Sequence, residues 1–140
     1  MGEGISCNIC EEYMVTEIAP VTFQYSRTIG RQENRSGNGF FYPVAITRDD
    51  KNLLYVLSRG SETPAFFPCK RVTVFTLDEE LVREFGHKVP PEEADASAPD
   101  GSLMWPTAVA LDSKGIAYVA DEWLNRISIF DLEGDCVGKW

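Results

Sequence analysis

Cys7-Asn8-Ile9-Cys10 has the spacing at which two thiolates can share one metal ion or form a redox pair. A structural zinc site takes about four ligands. No second C-x-x-C and no paired-histidine pattern exists to complete one: the other cysteines are Cys69 and Cys136, and the single histidine is His87. Plain thiols are therefore expected ahead of a zinc site or a disulfide. The same scarcity bears on catalysis, because nucleophilic chemistry needs a nucleophile, a base and a group to orient the base. One loop histidine is a poor foundation for that, and no G-x-S-x-G elbow is present. Gly37-Asn38-Gly39 lacks the Lys-Ser/Thr ending of a phosphate loop and reads as a turn. Asn34-Arg35-Ser36 fits the glycosylation pattern, but that modification needs a secretory route. No cofactor is expected. Zinc on the thiols, or calcium on carboxylate and Asn oxygens, are the two metals left open.

Binding is the better served chemistry. Phe66 and Phe67 stand between Pro64 and Pro68 in one long irregular stretch. They either fold back onto the neighbouring structure, the expected outcome, or offer an apolar contact. Asp121-Glu122-Trp123, followed by Asn125, sets a carboxylate pair beside an indole. Asp121 reads equally as a turn residue, and Trp123 as a cover for a sheet edge. Phe66, Phe67, Asp121, Glu122, Trp123 and Asn125 are the candidate binding residues. The stretch from His87 to Ser102 holds three prolines with Glu92, Glu93, Asp95 and Asp100. It is expected to be a solvated linker ahead of a cation site.

These groups are positioned by an internal repeat. Tyr42-Pro43-Val44-Ala45-Ile46 returns as Trp105-Pro106-Thr107-Ala108-Val109, and Leu54-Tyr55-Val56 as Ala117-Tyr118-Val119. Arg71-Val72-Thr73-Val74-Phe75 returns as Arg126-Ile127-Ser128-Ile129-Phe130. The offset is 106 − 43 = 63 residues in the first block and 126 − 71 = 55 in the last, so the first copy carries an eight-residue insertion between Val56 and Arg71. Each copy predicts four short strands, near 44–46, 53–57, 71–76 and 81–85, then near 107–111, 116–120, 126–131 and 136–140. The grounds are β-branched and aromatic enrichment, alternation, and turn residues between the runs. Arg71 and Arg126 both open a third strand and are expected to pair with nearby carboxylates or carbonyls.

Four antiparallel strands per repeat is the pattern of a propeller blade. Trp105-Pro106-Thr107-Ala108-Val109-Ala110-Leu111-Asp112, Gly115 to Asp121 and Asn125 to Asp131 resemble NHL repeats, and the first copy resembles them less closely. Arg48 and Leu57-Ser58 depart from the usual apolar residue and Ala-Asp pair. The resemblance covers residues 41–86 and 104–140, and it implies a propeller, usually six-bladed. A propeller takes about four to eight blades, so the fold class is all-β: an incomplete β-propeller of two blades plus an N-terminal strand. Residues 1–40 form an N-terminal segment with an outer strand over 23–30. Residues 41–86 are the first blade, 87–103 an acidic, Pro-rich loop, and 104–140 the second blade. Because strands alternate in direction, the two long connections, 58–70 and 86–103, fall at one end, where rigid scaffolds carry function. The function read from this is a protein- or ligand-binding scaffold. The alternative is part of a propeller enzyme, a metal-dependent lyase or hydrolase, with most catalytic residues elsewhere.

Composition narrows the partners. The 140 residues hold 13 Lys and Arg against 22 Asp and Glu, a formal charge of −9. Phosphate-backbone binding needs clustered basic residues, so no nucleic acid is expected. No apolar run approaches the ~20 residues of a membrane span, and the N-terminus lacks a secretory pattern. The expectation is a cytoplasmic protein without membrane contact, binding a protein or small molecule. Exposed blade faces predict a homo-oligomer or association with further blades.

Overall fold

A computed structural model describes residues 24–33, 37, 39–61, 69–95 and 97–140. The described chain is all-β. β1 (Arg31–Gln32) and β2 (Gly39–Phe40) form a short parallel pair. β3 (Pro43–Arg48), β4 (Leu54–Ser58), β5 (Arg71–Phe75) and β6 (Leu81–Phe85) then build an antiparallel meander. A second parallel pair follows, β7 (His87–Lys88) with β8 (Ser102–Leu103), bracketing a 3₁₀ turn at Pro91–Glu93. β9 (Pro106–Leu111), β10 (Ala117–Asp121), β11 (Arg126–Phe130) and β12 (Cys136–Lys139) repeat the meander. The eight long strands fall where alternation and turn residues predict them. The two sheets are separate and not closed on each other.

The turns are fixed by short polar side chains. Asp49 Oδ1 accepts from the amides of Lys51 and Leu53, at 2.9 and 2.8 Å. Asp112 Oδ1 repeats this with Lys114 and Ile116, at 2.8 and 3.0 Å. Such side-chain turns leave no choice of register in the hairpins that follow. Asn52 and Gly115 take the left-handed position, at φ 65° and 82°.

The sheets pack face to face. Tyr55, Leu57, Val72, Val74 and Phe85 of the first meet Leu103, Val109, Ala117, Val119 and Phe130 in one buried cluster. Inner strands β3 and β9 run side by side. The Phe85 ring stands 4.8 Å from Phe130. Gly86, at φ 76°, lets the chain pass close over Leu103, where a Cβ would lie 2.6 Å from its Cδ1. A satellite cluster of Val89, Ala98, Met104 and Leu124 seals the crossover onto the second sheet.

The predicted outer strand over 23–30 is not formed: residues 24–30 carry no strand, and Phe23 lies outside the described residues. A strand exists only through a partner's ladder, and no third strand of another sheet lies beside it among the described residues. The segment nevertheless repeats the later crossover. Gly30 is also left-handed, at φ 81°, and a Cβ there would strike the Phe40 ring. Arg31–Gln32 pairs with Gly39–Phe40 as His87–Lys88 pairs with Ser102–Leu103.

Candidate ligand-binding site

Both long connections meet at one end of the two sheets. From the first, the fully buried Lys70 donates its Nζ to the Met104 carbonyl. Arg59 lays its guanidinium over the Trp105 ring, 4.4 Å from the centroid. Trp105 meets Trp123 edge to face, with centroids 5.7 Å apart. Trp123 Nε1 in turn donates to the Ala94 carbonyl in the crossover, at 2.9 Å. Arginine, two indoles and the acidic crossover thus form one chain of contacts.

An open cleft of about 600 Å³ lies between Tyr42, Val44, Arg59, Gly60, Ser61 and Trp105. Tyr42 is 64 % exposed and is held at φ 52°. Its carbonyl accepts from the Arg59 amide at 3.0 Å, and the Phe41 carbonyl from Gly60 at 3.0 Å. The cleft wall is therefore pinned by main-chain bonds, and the Arg59 guanidinium makes no hydrogen bond or ion pair among the described residues.

The predicted site residues divide. Asp121 is buried, and its carboxylate accepts from three main-chain amides: Met104 at 2.7 Å, Trp105 at 3.0 Å and Leu124 at 3.0 Å. It fastens the entry to β9, which is the turn-residue role. Glu122 and Asn125 are exposed, and with Thr107, Ile127 and Trp140 they line a second open cleft of about 370 Å³. Trp123 belongs to the tryptophan pair. Phe66 and Phe67 lie outside the described residues, as do Cys7 and Cys10. Cys69 is a buried free thiol and Cys136 a half-buried one.

Other polar groups serve the scaffold. Arg71 Nε meets Glu84 Oε1 at 2.7 Å, and its Nη2 donates to the Gly39 carbonyl at 3.1 Å. Arg126 donates to the carbonyls of Ala98, Pro99 and Ser102, at 2.9, 3.0 and 3.0 Å. Their expected pairing with carboxylates and carbonyls is thus met. Ser102 Oγ lies 3.1 Å from His87 Nε2, a pairing sequence spacing did not suggest. Among the described residues no group of His, Cys, Asp and Glu is arranged to hold a metal. In the crossover, the Ser97 hydroxyl and amide bond Asp95, at 2.6 and 2.7 Å, and hold its carboxyl below the ordinary value.

Arg59, Tyr42 and Trp105 were absent from the sequence-based site. The signal was present in the repeat: Tyr42 and Trp105 occupy equivalent places before a proline. Arg59 opens the inserted loop, whose path no periodicity predicts.

No family model and no curated protein matches this chain.

Proposed function

We propose that this chain is a segment of an NHL-type β-propeller that serves as a binding scaffold, with its contact surface at the end where the two long connections meet. The observation that carries the reading is the Arg59–Trp105–Trp123 chain of contacts, which joins the inserted loop, the start of β9 and the β10–β11 turn. Rigid strands holding aromatic and guanidinium groups at loop ends is how binding surfaces are commonly built. The internal repeat and the matching pair of four-stranded meanders support the propeller assignment. Open faces on the sheets support association with further blades or copies. Backbone NMR of the labelled protein, titrated with peptide and small-molecule libraries, tests the scaffold reading. Shifts are expected at 42–44, 59–61, 105 and 123. Shifts confined to the outer strands β6 and β12, or stoichiometric metal in the purified protein, would count against it. Sedimentation velocity tests association, and a compact monomer at every concentration would sink that part.

The competing reading, part of a propeller enzyme, draws on the Ser102–His87 contact. Triad logic needs a third group to orient the imidazole, and no carboxylate bonds the other ring nitrogen among the described residues. Hydrolysis of activated esters that vanishes in Ser102→Ala would favour this reading.

The membrane expectation has one structural counterpart: no helix among the described residues is long and apolar enough to cross a bilayer.

A further inference from the structure

We infer that the Tyr42–Arg59–Trp105 cleft takes a carboxylate carried beside an aromatic or apolar group. The inference rests on the scaffold reading and names its ligand class. Three observations converge on it. Among the described residues Arg59 is the one charged side chain lining the cleft, on a chain whose formal charge is −9. Anion selection must therefore come from local geometry, since the long-range field repels anions. The guanidinium already sits over the Trp105 ring, its Cζ 4.4 Å from the centroid. Its N–H donors carry no hydrogen bond among the described residues, and a planar fork matches a carboxylate in two parallel bonds. Contact with the ring restrains the side chain in advance, so less rotamer freedom is lost on binding. The third observation is the wall: Tyr42 and Val44 are exposed at the start of β3, facing the same opening of about 600 Å³. An apolar group of the ligand covers them while its carboxylate meets Arg59.

The second cleft sharpens the assignment. It is lined by Asp121 and Glu122 together with Arg126, two carboxylates against one guanidinium. One end of the molecule thus offers two clefts of different charge balance, and an anionic ligand is directed to the first, where no carboxylate is among the described lining residues.

Two sources could supply such a group: an acidic peptide segment or a small aromatic acid. The test uses the full chain, followed by NMR of the Arg59 side chain and the Trp105 indole. The probes are acetyl-Phe-Glu-amide with its Gln counterpart, and phenylacetate with phenylacetamide. Saturable shifts are expected for the carboxylates, with the carboxamides about tenfold weaker, as charge-assisted bonds to carboxylate imply. Arg59→Gln is expected to erase the difference within each pair. Arg59→Lys, which keeps the charge but not the plane, is expected to restore only part of it. Whichever carboxylate binds more tightly identifies the source. Equal binding of carboxylate and carboxamide, or a preference that survives Arg59→Gln in a protein with unchanged backbone spectra, overturns the ligand class. Carboxylate shifts elsewhere at the loop end also overturn it, yet leave the scaffold reading standing. No saturable shift at that end from these probes overturns the ligand class, and silence from the wider libraries as well removes both.

Discussion

The two sheets are built from one repeat, yet equivalent residues sit in different surroundings. Ile46 of β3 is 64 % exposed, while its counterpart Val109 of β9 is 8 % exposed. Phe85 is 5 % exposed and Trp140, in the matching place, 75 %. Val72 and Val74 are buried, and their counterparts Ile127 and Ile129 only half so. The cause is position. One face of the first sheet is covered by the second sheet, whereas the corresponding face of the second is open; for the opposite faces the roles reverse, which buries Val109 and leaves Ile46 exposed. Sequence pattern fixes the strands and their alternation, but burial depends on which neighbour is present. The differences at the loop end are of another kind, since there the side chains themselves diverge: Ser58 for Asp121, Arg59 for Glu122, Lys70 for Asn125. Arg59 and Lys70 of the first sheet grip Met104 and Trp105 of the second, while Glu122 and Asn125 line an open cleft.

The two sheets differ most at one equivalent aromatic pair. Phe85→Ala empties a place against Tyr55 and Phe130 and is expected to cost about 3–5 kcal/mol, as for buried phenylalanines generally. Trp140→Ala, at the equivalent place, is expected to stay within about 1 kcal/mol, because little of the ring is removed from water. Urea unfolding monitored by far-UV circular dichroism measures both. Similar losses would mean that the open face is covered in solution.

The next largest contrast lies in how each sheet fastens its inner strand. Asp121 holds three amides, whereas Ser58 Oγ accepts one, from Phe41, at 3.3 Å. Asp121→Ala leaves buried amides without acceptors and is expected to cost about 2–4 kcal/mol, against about 1 kcal/mol for Ser58→Ala. Asp121→Ser, which imports the first sheet's solution, is expected to fall between them. Denaturant midpoints at constant slope give the ranking, and a Ser58→Ala loss equal to that of Asp121→Ala would remove the distinction.

Much of this was legible beforehand because it depends on local rules. Alternation in Val72-Thr73-Val74 and Ile127-Ser128-Ile129 marks third strands, and Asp49 and Asp112 mark tight turns. The loop end was legible as a place, from strand direction and loop length, but only partly as a set of side chains. Asp121 and Trp123 stand in it, the first as a fastener and the second in an indole pair. Arg59 and Trp105, 46 residues apart in sequence (105 − 59), meet only because the sheets pack, and no pattern within one repeat contains that packing. The segment before β3 shows the converse. Arg27-Thr28-Ile29-Gly30 repeats Arg83-Glu84-Phe85-Gly86, but a strand-like sequence without a partner forms no ladder.

The smallest contrast concerns how each crossover is tied to its sheet. At the second sheet, Lys139 Nζ meets Asp100 Oδ1 at 2.7 Å. At the first, the corresponding positions are Glu84 and Gly37, joined instead by the Gly37 amide donating to Glu84 Oε1 at 3.2 Å. The Lys139 hydrogen bond, with its charge, holds the Asp100 carboxyl below the ordinary value. A depressed carboxyl stabilises the folded chain above the unfolded value of about 3.9 and loses that contribution as pH falls through the folded value. Both groups are substantially exposed, so the effect on unfolding is small and weakened by salt, and the titration midpoint is the sensitive observable. Carbon-detected NMR of the Asp100 carboxyl is expected to show a midpoint below that of an ordinary aspartate, returning toward it in Lys139→Ala. An unchanged midpoint in that variant would mean that the crossover is held by the three Arg126 carbonyl bonds without help from the ion pair. The two crossovers would then differ only in chemistry and not in how firmly they are tied.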